Sequence, residues 1–457
     1  MKTNLLLPLC AVAFVVTAIP AWLIPHSHHQ SSVIQPREFF GPAVSDGSEV
    51  LALARRVGTM TNRHYDHEQA FLHHFEVTRR DGEWRIPSHH NYPADGGDQV
   101  GRTAGSVLGL QRRAEARVTS DRRDHQRLGV LDPEDDRAPF GVERGKRITL
   151  QGFEGETLLD LIIGKEVPDR LGWHYVRLAD EDSVYQVEVE PVLSTRFTDY
   201  VERDLLRIGR NDITAVVMDP HRVDRAAGNV ITPPKVTLRR QGSTQVWTSP
   251  DAPAGLEVDA DAMRKVLDGI TRVRLQGVRP LQPLSMVRMQ RYGFFTNDGV
   301  TVWGNEGALE IQRRNGLRYT LYFGNRAPDE GLALTAGIED ADTSTQPGSN
   351  RYMIILVEYR EDADQLLAEA LRDLSDEHEA EADDTATDLE AALTTKRREV
   401  VAQRTAQRDE EQAKFIEYFY VIPGSVFDAL RPDIESLFSQ PAAEDAGSDP
   451  ATITPAP

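Results

Sequence analysis

The sequence predicts an α+β protein that consists of two tandem repeats of one mixed strand and helix unit, with an N-terminal transmembrane helix and a C-terminal helical arm. The main evidence is that one pattern of residues occurs twice. Alternating apolar residues, an arginine and a glycine-containing turn lead to Trp84, and the same features lead to Trp247. Repetition of this kind is typical of a duplicated structural unit. We therefore predict one repeat unit over residues 45–210 and a second over 211–360.

Each tryptophan segment has the alternation and the turn residues of a β-hairpin. An amphipathic helix pattern follows in both units. Its apolar residues are Val100, Ala104, Val107 and Leu108 in the first unit and Met263, Val266, Leu267 and Ile270 in the second. Because duplicated residues usually serve the shared fold, Trp84 and Trp247 are expected to pack in equivalent hairpins. The alternative is that they stack on a ligand.

Shorter landmarks recur in the same order in both units. The matched pairs are 50–54 with 213–217, 128–130 with 292–294, and 161–164 with 321–324. Strand-like apolar runs occur at 158–163, 184–189, 308–312, 319–323 and 352–357. A helix over 197–208 is expected to link the units, and the segment 325–350, rich in Gly, Asp, Thr and Pro, is predicted to be a long loop.

Residues 1–25 are predicted to be a transmembrane anchor or a signal segment. Residues 4–24 are almost all apolar, and about 21 helical residues cover roughly 30 Å, the thickness of a bilayer core. The competing interpretation is a signal peptide cleaved after Ala18. Lys2 leaves the start of the chain in the cytoplasm by the positive-inside rule. We thus predict a single-pass protein of a bacterial inner membrane, with a linker at 26–44 and the residues after about 25 in the periplasm.

The chain changes character after residue 360. Residues 361–417 form an acidic and then mixed-charge helical segment with coiled-coil character. Its second helix has only a narrow apolar stripe, which leaves much of the surface in water; the stripe is Leu389, Leu393, Val400 and Val401. The aromatic side chains around 418–439 are too large to leave exposed. This segment is therefore expected to dock onto the second repeat unit, and 440–457 to be a disordered tail.

Composition excludes several classes of function. The net charge of −20 argues against nucleic acid as a partner, because phosphate backbones need a basic face. The one cysteine, Cys10, lies in the N-terminal apolar run, so no intramolecular disulfide or cysteine zinc cluster can form. No nucleophile elbow, zinc-protease motif, dinucleotide fingerprint or calcium loop occurs. The glycines of 141–147 resemble a phosphate loop, but Arg147 replaces the hydroxyl residue that would hold magnesium.

Histidines are concentrated before residue 91. The group comprises His64, His67, His73, His74, His89 and His90. Three of these imidazoles on one helix face could hold a transition metal, and the alternative is a polar surface. The second unit has no equivalent residues, so we predict no bound metal, no cofactor and no catalytic residue. The arginines of 112–127 alternate with acidic residues, which favours a salt-bridged surface over a substrate clamp.

These residues resemble a known family, the bacterial domain of unknown function 4340. The resemblance is carried by Asp-Gly-x-Trp at 81–84, Pro-Ala-Asp at 93–95, the landmarks at 128–130 and 161–164, and Val-Tyr at 184–185. It extends over 45–360 as two copies, the second more diverged, and the aromatic ending resembles that of long planctomycete-type members. It implies an envelope protein with one membrane segment and no established catalytic residue. Some members resemble components of ABC-type exporters.

These observations favour a membrane-anchored, non-enzymatic accessory protein that binds another envelope protein, in an ABC-type export system as the resemblance implies. The first alternative is a ligand-binding or glycan-binding envelope module that uses exposed aromatic residues. The second is a metal-dependent envelope hydrolase. A pocket lined by His64, His67 and His74 would favour the hydrolase, and an open aromatic cleft would favour the binding module.

Overall fold

A computed structural model describes residues 38–68, 70–224, 227, 229–240, 246–281, 286–296, 302–337, 349–380 and 386–441. The predicted transmembrane segment lies outside these residues, as does the predicted disordered tail from residue 442 onward. Among the described helices, none is both long and apolar enough to cross a bilayer.

Nine α-helices occur in the described part of the chain. They are α1 (Gly47–Arg55), α2 (Gly96–Val107), α3 (His125–Leu128), α4 (Ala260–Ile270), α5 (Met286–Tyr292), α6 (Gly331–Thr335), α7 (Gln365–Ala380), α8 (Ala386–Phe415) and α9 (Gly424–Leu430). Asp259 caps α4, because its side chain accepts a hydrogen bond from the backbone N–H of Ala262 at 2.8 Å. The apolar face predicted for α4 is buried.

The first large sheet has nine strands in the order β5-β4-β3-β2-β8-β9-β10-β11-β7. Its strands are β2 (Val57–Asp66), β3 (Phe71–Arg80), β4 (Glu83–Ile86), β5 (Tyr92–Pro93), β7 (Arg117–Thr119), β8 (Lys146–Gly152), β9 (Thr157–Glu166), β10 (Trp173–Leu178) and β11 (Val184–Glu188). A separate pair is formed by β1 (Glu38–Phe39) and β6 (Gln111–Arg112). Every strand pairing described in this sheet is antiparallel.

The second large sheet has eight strands in the order β16-β15-β12-β21-β22-β23-β24-β18. Its strands are β12 (Ile213–Asp219), β15 (Val236–Arg240), β16 (Trp247–Thr248), β18 (Gly277–Pro280), β21 (Ala308–Arg313), β22 (Asn315–Arg326), β23 (Arg351–Asp364) and β24 (Tyr418–Ile422). Three short pairs accompany it: β13 (Arg222–Asp224) with β14 (Asn229–Ile231), β17 (Glu257–Val258) with β25 (Phe438–Ser439), and β19 (Phe294–Thr296) with β20 (Val302–Gly304).

The two large sheets follow the same path. Apart from the additional edge strand β5 of the first sheet, the strand orders are β4-β3-β2-β8-β9-β10-β11-β7 and β16-β15-β12-β21-β22-β23-β24-β18. In each order, the first three strands are arranged in reverse of their order in the sequence. The next four strands come later in the chain and are arranged in sequence order. The strand at the far edge lies between these two groups in the sequence. Helices α2 and α3 precede β8 in the first case, and α4 and α5 precede β21 in the second.

Both tryptophans lie in the second strand of a hairpin. Trp84 in β4 stands opposite Arg79 of β3, and Trp247 in β16 stands opposite Arg240 of β15. Trp247 is buried and Trp84 is half-buried. The Arg240 guanidinium lies 5.8 Å from the centre of the Trp247 ring. Both tryptophans therefore belong to strands of the large sheets.

Two matched glycine landmarks contact each other in both halves of the chain. Gly129 (φ 69°) and Gly293 (φ 88°) each adopt a left-handed conformation that favours glycine. A side chain at Gly164 would approach the carbonyl oxygen of Leu128 at 2.6 Å, and one at Gly324 would collide with that of Tyr292. The strand glycine thus allows the same close approach of two backbones in each sheet.

The head of the first unit differs from the prediction that matched 50–54 with 213–217. Residues 50–54 lie in helix α1, whereas 213–217 lie in strand β12. Asp46 caps α1 by accepting bonds from Ser48 and Glu49. Leucine and alanine then favour the helix, while the β-branched residues of 213–217 favour a strand. The counterpart of β12 in the sheet order is β2.

The predicted linking helix over 197–208 is wrong. Only a 3-10 turn at Phe197–Asp199 forms there. The backbone bonds of the segment go to other elements instead: Asp95 N–H donates to Tyr200 O at 2.8 Å, and Leu205 N–H donates to Val273 O at 3.1 Å. The predicted loop at 325–350 also contains helix α6.

The aromatic segment is a strand of the second sheet rather than a peripheral docking segment. Strand β24 pairs with β23 on one side and with β18 on the other, and all its residues are buried. Phe419 packs against Phe294 with 5.4 Å between the ring centres, within an apolar cluster that includes Tyr352. A run that is apolar on both faces is typical of an interior strand.

By spatial proximity, the chain divides into two compact units: 1–57, 63–72 and 103–193 in one, and 58–62, 73–102 and 194–457 in the other. These boundaries differ from the predicted ones at 210 and 360. Within the second unit, His89 stacks on Phe197 with 4.3 Å between ring centres, and Tyr92 packs edge-on against Tyr418 at 4.9 Å. These aromatic contacts are one reason why 73–102 groups with the later part of the chain.

Candidate functional site

The N-terminal histidines are distributed over several elements. His64 lies in β2, His73 and His74 lie in β3, and His67 lies in the turn after β2. Among the described residues, no group of three or more His, Cys, Asp or Glu side chains is arranged to hold a metal ion. The helix face on which three imidazoles were expected to converge does not form, because these residues are in strands and a turn.

His89 is part of the core of its unit. Its ring nitrogens lie 2.9 Å from Ser88 Oγ and 2.9 Å from Thr335 Oγ1, and its ring stacks on Phe197 at an angle of 4°. Burial lowers its pKa to about 3, and the nearby positive charge of Arg279 contributes. Both nitrogens are already hydrogen-bonded, so His89 is a neutral structural side chain.

Arg147, which ends the glycine-containing segment 141–147, is tied into an ion network. Its guanidinium lies 2.7 Å from Asp160, 2.9 Å from Asp132 and 3.1 Å from Glu134. Hydrogen bonding to Asp160 holds its pKa above the ordinary value. A side chain fixed by three carboxylates serves the sheet and is not placed to cradle a phosphate.

The arginines of 112–127 form surface ion pairs, as the salt-bridged interpretation predicts. Arg112 contacts Glu181 at 2.8 Å, and Arg122 contacts Asp182 at 2.7 Å. Arg123 contacts Asp121 at 2.5 Å with its side chain 90% exposed. Exposed pairs of this kind contribute at most about 1 kcal/mol.

Asp219 and His221 resemble a catalytic dyad but lack its free nitrogen. His221 Nδ1 lies 2.9 Å from Asp219 Oδ1, and Nε2 donates to Gly304 O at 2.7 Å. Lys235 Nζ lies 2.9 Å from the other Asp219 oxygen. The hydrogen bond to Asp219 raises the pKa of His221 despite burial. With both ring nitrogens occupied, this pair anchors the end of β12.

A cavity in the second unit gathers basic side chains. We call it the basic pocket; its volume is about 380 Å³. Its charged residues are Arg279 from β18 and Arg288 and Arg291 from α5, and His90 and Gly337 also line it. None of the described lining residues is acidic. Volumes of roughly 300–1,000 Å³ are usual for small-molecule sites.

Arg279 forms the floor of the basic pocket. It is 2% exposed. One terminal nitrogen donates to Val278 O at 2.8 Å and Leu334 O at 3.1 Å, and the other donates to Ala333 O. Gly337 (φ 73°) passes so close that a side chain there would collide with the guanidinium. Hydrogen bonds to neutral carbonyl groups therefore hold the guanidinium in place.

A strained turn that contains His90 also lines the basic pocket. His90 (φ 59°) and Asn91 (φ 56°) are consecutive non-glycine residues in the left-handed region. His90 Nε2 donates to Ala336 O at 2.7 Å, and Tyr418 Oη donates to the carbonyl oxygens of His90 and Asn91 at 3.3 Å. Backbone strain of this kind persists only where surrounding contacts impose it. The turn is therefore held in one position against the pocket.

The basic pocket was missed in the sequence because its residues are far apart along the chain. The local signal is weak: Arg288 and Arg291 are three residues apart on a short helix, and Arg279 belongs to a strand that contains only four residues. In the sequence, His90 belongs to the histidine cluster, which suggests a metal ligand and not an anion site. Tertiary folding alone brings these groups together.

Helices α7 and α8 form a second notable feature, a helical hairpin between β23 and β24. Polar contacts hold the base of the hairpin to the sheet. Arg314 contacts Glu369 at 2.8 Å, and Gln412 Oε1 accepts the backbone N–H of Val357 at 2.6 Å. Before Phe415, no described side chain of α8 is fully buried. Much of this hairpin surface therefore faces solvent.

Comparison with known families gives one match. Residues 84–288 match the model of the family described as Domain of unknown function (DUF4340). The match begins in β4 and ends in α5, so it includes strands of both large sheets. No curated protein and no solved structure gives a significant match.

Proposed function

We propose that the chain is a membrane-anchored protein of the cell envelope that carries two copies of one unit and binds a partner protein without catalysing a reaction. The N-terminal residues 4–24 supply the anchor, and the body lies in the periplasm. The partner is an envelope protein, and an ABC-type exporter is the class that the family resemblance implies. The match to a domain of unknown function leaves the activity open.

The similar strand order of the two large sheets, which differs by the additional edge strand β5 of the first, supports the duplication. The equivalent registers of Trp84 and Trp247 and the equivalent contacts of Gly164 and Gly324 support it further. A polar constellation common to both copies would suggest duplicated chemistry. Instead, the features they share are those of packing and backbone geometry.

The helical hairpin is the observation that carries the binding role. The first sheet connects β10 to β11 through residues 179–183, whereas the second connects the corresponding β23 and β24 through α7 and α8. The apolar stripe of α8 is partly buried, and most of its charged residues are exposed, whereas Arg404, Arg408 and Glu411 are half-buried. An addition to one copy that extends beyond the shared sheet supplies a surface absent from the other copy.

Site-specific photocrosslinking of the full-length chain in its native membrane tests this role. A photoreactive residue in place of exposed Arg398 on α8 is expected to give one specific adduct with an envelope protein. The same residue in place of Arg123, whose side chain is 90% exposed, serves as the matched control. Equal adducts from both positions, or no adduct from any exposed position of α8, would contradict the proposal.

The basic pocket favours a second candidate, the ligand-binding envelope module. Its arginines are set against a rigid turn, and its lining includes Tyr292. Binding of a small anion would be compatible with a partner-binding role, since the hairpin and the pocket use different residues. No described feature favours the metal-dependent hydrolase.

A further inference from the structure

Arg279 is a buried cation without a carboxylate partner among the described residues. It is 2% exposed, and its hydrogen bonds go to backbone carbonyl oxygens of Val278, Ala333 and Leu334. Carbonyl dipoles satisfy the N–H groups, but they do not neutralise the charge. Buried charges are normally paired, because removing an ion from water is costly.

The other unit also contains a buried arginine. Arg177 in β10 is 6% exposed and also donates to backbone carbonyl oxygens, including Val130 O at 2.8 Å. It lines a cavity together with Asp132 and Asp182. The negative charges of these two residues oppose the effect of burial on its pKa. The described charged residues that line the cavity beside Arg279 are basic, whereas most of those beside Arg177 are acidic.

Two further guanidiniums line the cavity beside Arg279. Arg288 and Arg291 lie on the same short helix, α5, and Arg288 Nη1 reaches Pro280 O at 3.4 Å. Each adds a positive charge to the lining of the cavity. Among the described residues that line this cavity, three are arginines and none is acidic, in a chain whose net charge is −20.

The positive charges of these arginines also affect the pKa of His90 in the turn that lines the pocket. Burial lowers the pKa of His90, and the positive charges of Arg279 and Arg288 lower it further. A neutral His90 donates its Nε2 hydrogen to Ala336 O. The pocket therefore has a fixed floor and a fixed wall, so an anion could bind without ordering either.

We propose that the basic pocket binds the phosphate group of a small ligand, as a phosphate monoester or diester. Guanidinium groups match phosphate geometry through paired N–H donors. A phosphate monoester brings close to two negative charges and three strong acceptor oxygens, whereas a carboxylate brings one charge. The cavity of about 380 Å³ also leaves room for a polar group attached to the phosphate.

Isothermal titration calorimetry on the full-length chain in detergent tests the site. The probes are inorganic phosphate and glycerol 3-phosphate, each at constant ionic strength. Saturable binding is expected, and the double variant Arg288→Ala/Arg291→Ala should bind about tenfold more weakly or worse, since charge-assisted hydrogen bonds are lost. The matched control Arg122→Ala/Arg123→Ala, which removes two exposed arginines of the first unit, should bind like the unaltered chain.

A lipid source of the phosphate is distinguished by adding phosphatidylglycerol to the detergent micelles. Binding of this lipid, but not of the soluble probes, would identify a diester headgroup as the ligand, provided that the Arg288→Ala/Arg291→Ala variant loses it. Binding of the soluble probes alone would identify a free phosphate ester. Unchanged binding in that variant, or no saturable binding of any probe by a folded chain, would overturn the proposal.

Discussion

The two large sheets differ most at one connection. Residues 179–183 join β10 to β11, whereas helices α7 and α8 separate the corresponding strands β23 and β24. Strand order is nevertheless the same, and β24 occupies the place of β11. The entropy of closing a loop grows slowly with its length, so a long insertion costs little if the last strand still pairs. The hydrogen-bonded pairing of the strands, and not the distance between them in the sequence, determines the strand order of the sheet.

The strand that follows this connection also differs between the two sheets in the side chains that it buries. Strand β24 buries all five of its residues, Phe419 and Tyr420 almost fully, whereas β11 buries Val184, Tyr185 and Val187. Larger side chains bury more apolar area and stabilise the sheet more strongly. We therefore expect the second sheet to depend more on its last strand than the first sheet does.

The largest expected effect comes from truncating that strand. Phe419→Ala should reduce the free energy of unfolding by about 3–5 kcal/mol, because a large cavity forms in the core. Val187→Ala in β11 should cost roughly 1.5–2.5 kcal/mol, since fewer methyl groups are lost. Urea denaturation followed by tryptophan fluorescence measures both. Equal losses would contradict the greater dependence on β24.

The glycine contacts provide a test in which the two sheets should behave alike. Gly164→Ala and Gly324→Ala should each destabilise by about 1–3 kcal/mol, because the added methyl group meets a backbone carbonyl that cannot move freely. Gly101→Ala in α2 is the control, since nothing lies near its added side chain, and it should stabilise by about 0.5–1 kcal/mol. A loss at only one strand glycine would mean that the shared contact is not equivalent.

Two buried histidines should give the smallest effects, with opposite dependence on pH. The pKa of His89 is lowered from 6.5 to about 3, so the unfolded chain binds the extra proton between these values and stability falls as the pH drops from 6.5. The pKa of His221 is raised above 6.5, so its stabilisation is present below 6.5 and is lost as the pH rises through the raised value. Each slope is at most about 1.4 kcal/mol per pH unit.

Glutamine substitutions separate the two contributions. His89→Gln should flatten the acidic side of the stability curve, and His221→Gln should flatten the side above pH 6.5. Denaturant midpoints measured between pH 5 and pH 8.5 would show this. If either variant alters the curve on the other side only, the assigned direction of its pKa change is wrong.

Local patterns in the sequence were sufficient for many elements. Apolar runs at 158–163 and 308–312 predicted strands that lie within β9 and β21, and the helical spacing from Met263 to Ile270 predicted α4. Such features depend on neighbouring residues and on the periodicity of a half-buried surface, so they can be read without knowing the fold.

Other features were decided by contacts between distant parts of the chain. Residues 197–208 have helical spacing, but their backbone groups bond to Asp95 and Val273 instead. The aromatic residues from 418 to 422 indicated burial without indicating that β23 and β18 would flank them. The strand partner of a segment is a tertiary choice, because any exposed edge offers the same backbone donors and acceptors.

The sequence by itself determined the mixed α and β composition, the positions of several strands and the absence of familiar catalytic motifs, because each depends on residue type and local spacing. Only the tertiary structure decided that β24 completes the second sheet and that Arg279, Arg288 and Arg291 surround one cavity with His90. These residues come from separate elements that no local pattern connects. Their proximity results from strand pairing and core packing, which minimise unpaired backbone groups and exposed apolar surface over the whole unit.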